Sequence, residues 1–362
     1  MNPTLRSIFL TTSRDTVRSS RRYAVLCVLS LGFFTAPTVG RAQEEPLFDQ
    51  FKKTFQHDYF TLGILLQTVA DFQVERTFPG ANGFSIANAR LNLFGDLDGG
   101  FGYLFTTNFI GNPVILDARA SYRVIPELTV SAGQFKTPFS AEFLTYAGSI
   151  DFVNRSQVVS ALAPGRQIGV QLGGGVSQND LTYSVGVFNG NGFTTNGNDA
   201  NDFLYAGRVT VNAIGDHAQR IYLGIGVNAA HSRDTDAAIA GGLVQGFTGT
   251  RTLVGADFSF VSGPVLLSGE GIYSRFHGGD GSRHDPYGYH ATTGYRLGPR
   301  SQVLLRLDSF FADGLRENSH LIIAGYNLWP TQVTELQINY IVPASGAGFK
   351  NHQLLVNAQL GL

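Results

Sequence analysis

"DYFTLGILLQTVADFQVE", residues 58–75, carries the pattern that decides the architecture. Its even positions Phe60, Leu62, Ile64, Leu66, Ala70, Phe72 and Val74 are apolar, and its odd positions include Thr61, Gly63, Gln67, Asp71, Gln73 and Glu75. Successive side chains of a strand point to opposite faces, so the segment is a strand with one apolar and one polar face. The alternation runs far beyond the roughly 5–6 residues of an ordinary strand. It recurs where Leu336, Ile338 and Tyr340 alternate with Glu335, Gln337 and Asn339. Leu354, Val356, Ala358, Leu360 and Leu362 alternate with Gln353, Asn357 and Gln359, and Val303, Leu305 and Leu307 with Arg306 and Asp308. A soluble sandwich also alternates, but its strands are shorter and its apolar faces must meet each other. In a transmembrane barrel the apolar face meets lipid and the polar face lines a wet lumen.

Working outward, the same period marks sixteen segments, near 58–75, 84–96, 101–110, 114–124, 128–137, 166–175, 181–190, 203–213, 220–230, 250–261, 265–276, 287–297, 301–311, 319–328, 332–342 and 351–362. With the N-terminus periplasmic, every second connection falls on "DLDGG", "IPE", "VSQND", "IGDHAQ", "SGP", "GPR" or "WPT". All are short and rich in the Gly, Pro, Asp and Asn that tight turns require. The opposite set holds the long connections 138–165, 191–202, 231–249 and 277–286. One missed strand would scramble that parity. Short turns at one end, long loops at the other and an even strand count predict an all-β, antiparallel transmembrane barrel of sixteen strands.

The N-terminus reads as an export signal over 1–42. Arg14, Arg18, Arg21 and Arg22 precede an apolar run from Ala24 to Phe34 and a small-residue Gly40-Arg41-Ala42 site. Residues 43–57 then form a short periplasmic segment, and the barrel occupies 58–362. The apolar run is too short for a membrane helix. Cys27 is the only cysteine and lies within the signal, so the mature chain has neither disulfides nor thiolate metal sites. Removing the signal takes away six arginines and one aspartate, leaving 20 basic against 26 acidic residues, a net of −6. Nucleic acid is no partner for such a chain. The 44 glycines, 28 phenylalanines and 14 tyrosines suit strands and tight turns rather than helices.

One stretch departs from the pattern. "GQFKTPFSAEFLTYAGSIDFVNRS", residues 133–156, starts as a strand and runs into the longest loop. Around it, Gly133-Gln134-Phe135-Lys136, Pro138-Phe139-Ser140, Asn154-Arg155-Ser156, Arg166 before Ile168-Gly169-Val170, and Val187-Phe188-Asn189-Gly190 together resemble the family of phosphate-selective porins O and P. The likeness continues more thinly through "GYNLWP" and "LQINY". It implies a sixteen-stranded porin of the bacterial outer membrane, commonly a trimer, surrounded by lipid and passing small anions such as phosphate without a cofactor.

The loop 138–165 carries Phe139, Phe143, Leu144, Tyr146, Ile150 and Phe152 with few charges, too apolar for free solvation. It is expected to fold inward and narrow the channel, the competing readings being an ordinary surface loop or a subunit contact. Alternation turns Arg90, Arg119, Arg123, Arg208, Arg251, Arg296 and Arg306 toward the lumen, with Arg155 and Arg166 at or beside the loop. The anion-attracting candidates are Arg119, Arg123, Lys136, Arg155, Arg166, Arg208 and Arg306, and the loop acids are Glu142 and Asp151. Arginine stays charged and binds oxyanions in a forked geometry. The alternative is that these arginines are girders paired to lumenal acids: Asp117 with Arg119 or Arg123, and Arg306 with Asp308. In that case the pore is a general-diffusion channel with little charge preference. Only four lysines follow the signal, at 52, 53, 136 and 350.

Other signals carry less. His277, Asp280, His284 and Asp285 fit no compact metal site, "NGNGFTTNGNDAND" lacks the calcium-loop order, and "QLGGGVSQND" lacks the lysine and helix of a phosphate-cradling loop. His290 should face the lumen, but no serine nearby is marked by a strained elbow, so an enzyme is disfavoured.

Overall fold

Period-two alternation and closure of every strand edge produce one sheet that meets itself. In the computed structural model the described residues are 54, 56–57, 59–73, 82–111, 114–176, 180–190, 192, 196–198, 202–216, 221–344 and 348–362. The expected export signal over 1–42 lies outside them, as do most of 43–57, Glu75 and most of the loop 191–202. The barrel strands are β1 (Phe60–Gln73), β2 (Gly83–Asp96), β3 (Phe101–Asn108), β4 (Ile115–Ile125), β5 (Leu128–Lys136) and β6 (Arg166–Val176). They continue as β7 (Leu181–Phe188), β8 (Leu204–Asp216), β9 (Ile221–Ile239), β10 (Val244–Ser262) and β11 (Val265–Gly278). The last are β12 (Tyr287–Gly298), β13 (Ser301–Phe311), β14 (Ser319–Leu328), β15 (Thr334–Pro343) and β16 (Gln353–Gly361). Each pairs antiparallel with the next, and β16 closes on β1 through Leu360↔Leu66 and Asn357↔Val69. Closure satisfies every strand's backbone inside lipid, the condition for a sheet to span a membrane. Among the described residues no helix is long and apolar enough to cross one.

The two faces separate as the sequence predicts. On β13, Val303, Leu305 and Leu307 are exposed while Gln302, Leu304, Arg306 and Asp308 are buried. On β12, Tyr287, Tyr289 and Tyr295 are exposed and His290 and Thr292 buried. Exposed aromatics form two belts. Phe72, Phe84, Phe109, Tyr205, Tyr287 and Tyr289 sit toward the loop end, and Tyr59, Phe101, Tyr122 and Tyr295 toward the turn end. Amphipathic rings at both edges of an apolar band mark the membrane–water interfaces.

Two expected loops are strand instead. Residues 231–249 continue β9 and β10 to 19 residues each, joined by a short turn at Ala240–Gly242. Residues 277–286 are partly strand as well, with Arg283–His284 pairing back onto Phe276 and His277. The reason is that lipid imposes the apolar outward face only within the membrane. Beyond it β9 presents His231, Arg233 and Thr235 outward and buries Ser232 and Asp234, so the period survives with polar residues on both faces. The turns "VSQND" and "IGDHAQ" fall partly outside the described residues.

Gly133, in the Gly-Gln-Phe-Lys stretch, has φ +123, and a Cβ there would lie 2.1 Å from the Ala118 carbonyl oxygen. Only glycine permits the close β4–β5 approach that aims the end of β5 into the loop.

Candidate functional site

The segment between β5 and β6 starts at Thr137, whose N–H and hydroxyl both bond the Gly165 carbonyl and pin the two ends of the segment together. Ser140, at φ 65, caps a single helical turn, α1 (Ala141–Leu144), by accepting from Phe143 N–H. Ser156 caps α2 (Gln157–Leu162) in the same way through Val159 N–H. Between them the backbone is irregular, so its polar groups need partners elsewhere.

They find them on the polar faces of the strands. Gln67 of β1 donates to the Ala147 carbonyl, Gln359 of β16 to Gly148, Gln337 of β15 to Ile150 and Asn327 of β14 to Asp151, while Asn339 of β15 accepts from Val153 N–H. Four neighbouring strands thus present amides, in sequence, to a run of backbone 147–153. Tyr146 extends the row by accepting from Asn92 of β2 at 3.0 Å.

The attachment to β11–β13 is charged. Arg306 holds Glu142 at 2.7 Å, Ser156 donates to the same carboxylate through N–H and hydroxyl, and His290 Nε2 lies 3.7 Å away. Glu270 accepts from Glu142 N–H at 3.0 Å, and Asp308 accepts from Gln157 N–H. Burial works against ionisation of Glu142, but Arg306, His290 and the Ser156 hydrogen bonds outweigh it and pull its pKa down to about 2. On the third side α2 buries Val158, Val159 and Leu162 against Phe135, Phe188, Phe276 and the hairpin-tip residues Ala237, Ile239 and Ala240.

The sequence-selected residues divide by partner. Arg166 is bidentate to Asp117 at 3.0 and 3.2 Å, Arg208 to Asp257 at 2.5 and 2.8 Å, and Arg306 binds Glu142, so these three are girders. The partners differ from those expected: Asp117 takes Arg166 rather than Arg119 or Arg123, and Arg306 takes Glu142 rather than Asp308. The expected partners share a strand, β4 for Asp117, Arg119 and Arg123 and β13 for Arg306 and Asp308, whereas Arg166 on β6 and Glu142 on the loop come within hydrogen-bond distance from other elements. Arg251 is likewise paired, to Asp234 at 3.1 Å.

Lys136 and Arg155 behave differently. Lys136 donates to the carbonyls of Phe143, Leu144 and Thr145, and Arg155 to those of Glu142 and Thr145. These acceptors carry no net charge, so neither side chain is neutralised by an ion pair with them. Arg119 lies over the Phe135 ring at 5.8 Å. Arg123 and Arg90 make no ion pair with a described residue, and Arg90 stands near Arg166, Arg155, Tyr146 and Asp117. Asp151 meets the wall through its backbone carbonyl, and its side chain is half-buried. The sequence reading put Arg90 on the lumenal face without selecting it, and passed over the amides Gln67, Asn327, Gln337, Asn339 and Gln359. Their inward parity was legible, but their common target was not.

Residues 66–257 match the family described as phosphate-selective porin O and P, more than half of the chain. The chain belongs to that family. It is therefore a porin of the bacterial outer membrane, a channel rather than an enzyme. Solved structures agree on the fold. The anion-selective porin from Comamonas acidovorans has a TM-score of 0.62 at 16% identity, covering 84% of this porin and 99% of that chain. The trimer form of OmpT from Vibrio cholerae has a TM-score of 0.62 at 11% identity, covering 84% and 100%. The outer membrane channel DcaP of Acinetobacter baumannii has a TM-score of 0.57 at 14% identity, covering 84% and 97%. No curated protein sequence matches this porin significantly.

Proposed function

We propose that this porin is a water-filled channel with a weak to moderate preference for small anions, phosphate and other small oxyanions among them. In this reading 137–165 lies across the lumen, and the narrowest passage runs between it and the inner faces of β2 and β4–β6. The observation that carries the reading is charge imbalance at that wall. Arg90, Arg123, Lys136 and Arg155 each lack an ion-pair partner among the described residues, while Asp117, the acid among them, is taken by Arg166. The net charge of −6 argues the other way, but acids such as Asp280 sit in exposed loops, where their fields fade over about 8 Å at physiological salt. Unit charges 4 Å apart still interact by roughly 4 kcal/mol at an effective dielectric near 20. The near charges therefore dominate.

The pairing of Arg166, Arg208 and Arg306 favours a second reading, general diffusion with little charge preference, in which the arginines are braces. Substitution separates the two. Arg123→Glu or Arg155→Glu should move the zero-current potential toward potassium while the barrel still folds; unchanged selectivity in both would leave only the brace role. A homotrimer is part of the proposal, supported by family membership and by the trimer form of the Vibrio cholerae protein. Crosslinking in detergent that yields monomer alone would remove it.

A further inference from the structure

A cavity of about 370 Å³ lies on the loop side of the segment 137–165, bounded by α2, the β9–β10 hairpin tip and the inner faces of β13–β16. Its strand wall is apolar beside inward positions of the same strands that are polar. Leu321 and Ile323 of β14, Ile341 of β15 and Leu355 of β16 occupy inward positions, where the same strands otherwise present Asn327, Gln337, Asn339 and Asn357. Cross-strand register makes these apolar positions contiguous, with Ile323 opposite Ile341. Phe152 packs onto the cluster from the segment and lines the cavity beside it. Phe152 and its neighbours cover most of Ile323, Ile341 and Leu355, and what remains of them, together with the half-buried Leu321, is the apolar part of the cavity wall.

The remaining lining mixes small and apolar residues of the hairpin tip with polar ones, and its charged members are Arg155, Arg316 and Asp308. Arg155 is held by the carbonyls of Glu142 and Thr145. Arg316 is exposed, lies over the Phe310 ring at 4.7 Å and forms no ion pair with a described residue. Asp308 is fixed by Gln157 N–H. Two guanidiniums and one carboxylate give the cavity a single net positive charge, which matches a monoanion and disfavours a dianion.

Resting on the anion-channel reading, we propose that this cavity is a binding site for small amphipathic monocarboxylates with an aromatic or branched aliphatic body. The carboxylate meets Arg316 and Arg155, and the apolar body lies on Ile323, Ile341, Leu355 and Phe152. The volume falls at the small end of ligand pockets, roughly 300–1,000 Å³, as a one-ring acid requires. Arg155 belongs both to this cavity and to the charged wall below it, so a solute released here enters the passage directly.

The test uses the purified full barrel in planar bilayers, with sodium benzoate and sodium acetate as probes in KCl. Benzoate should reduce the KCl conductance saturably, and acetate at the same concentrations should not. Ile323→Asn with Ile341→Asn should weaken that block by about tenfold, the scale of removing two apolar contacts from one ring. The chloride-to-potassium preference should stay as in the wild type. Arg316→Gln should weaken the block as well. The heat-dependent shift in SDS mobility reports folding of each variant. Equal effects of benzoate and acetate in a chloride-preferring wild type, or a block untouched in folded variants, would overturn the site and leave the anion channel standing. A wild type that prefers potassium would overturn both.

Discussion

What a cation does in this pore depends on what it touches. Arg166 and Asp117 form a pair of zero net charge, whereas Arg155, bound to the carbonyls of Glu142 and Thr145, has no countercharge in its hydrogen bonds. The double substitution Asp117→Asn with Arg166→Gln should therefore leave the chloride-to-potassium permeability ratio near wild type, while Arg123→Gln alone should lower it. Reversal potentials of the two variants check the distinction, and a shift of similar size in both would erase it. Glu142 makes a second, pH-dependent prediction. Its folded pKa, about 2, lies below the ordinary 4.5, so its stabilising contribution is complete above pH 4.5 and is lost as pH falls toward 2. The full shift corresponds to on the order of 3 kcal/mol. Wild-type single-channel current should accordingly stay quiet down to about pH 4 and become noisy below it. Glu142→Gln should be noisy at neutral pH, because Arg306 and Ser156 lose their anchor. A variant as quiet as wild type would show that the amides alone hold the segment.

At the scale of elements, two kinds of attachment fix 137–165. One side is a row of neutral amides against backbone, the other a charged knot at Glu142. Gly133 governs how the chain enters it. Gly133→Ala forces a Cβ against the Ala118 carbonyl at positive φ, a conformation costing about 1–3 kcal/mol before any clash. Its barrel should convert to the boiled SDS mobility at a lower temperature than wild type, and Gly83→Ala, where nothing lies within 4 Å, should not. Strands were legible in the sequence wherever lipid on one side and water on the other force period two, as in Val303–Leu307. The extension of β9 was not, because "HSRDTDAAI" leaves the membrane and loses its apolar face while keeping its hydrogen bonds. Ile323, Ile341 and Leu355 share the inward parity of Asn327, Asn339 and Asn357, but they sit in the runs "LII", "IV" and "LL", so an apolar residue on the polar face is masked by its apolar neighbour. The pairings Arg166–Asp117 and Arg306–Glu142 depend on where the loop and distant strands come to rest, which no local spacing encodes.

At the scale of the molecule, closure leaves no strand edge, so the folded barrel should resist SDS until heated and migrate differently before and after boiling. Identical migration with a helical circular dichroism spectrum would contradict the fold itself. In the proposed reading selectivity is a local property: although the sequence after the expected export signal sums to −6, a passing ion meets mainly Arg90, Arg123, Lys136 and Arg155. The zero-current potential of the wild-type channel in a planar bilayer across a KCl gradient reads that competition directly. The sign expected is that of chloride permeating faster than potassium; a potential of the opposite sign would mean that the acids prevail and that the cations of this wall do not govern the pore.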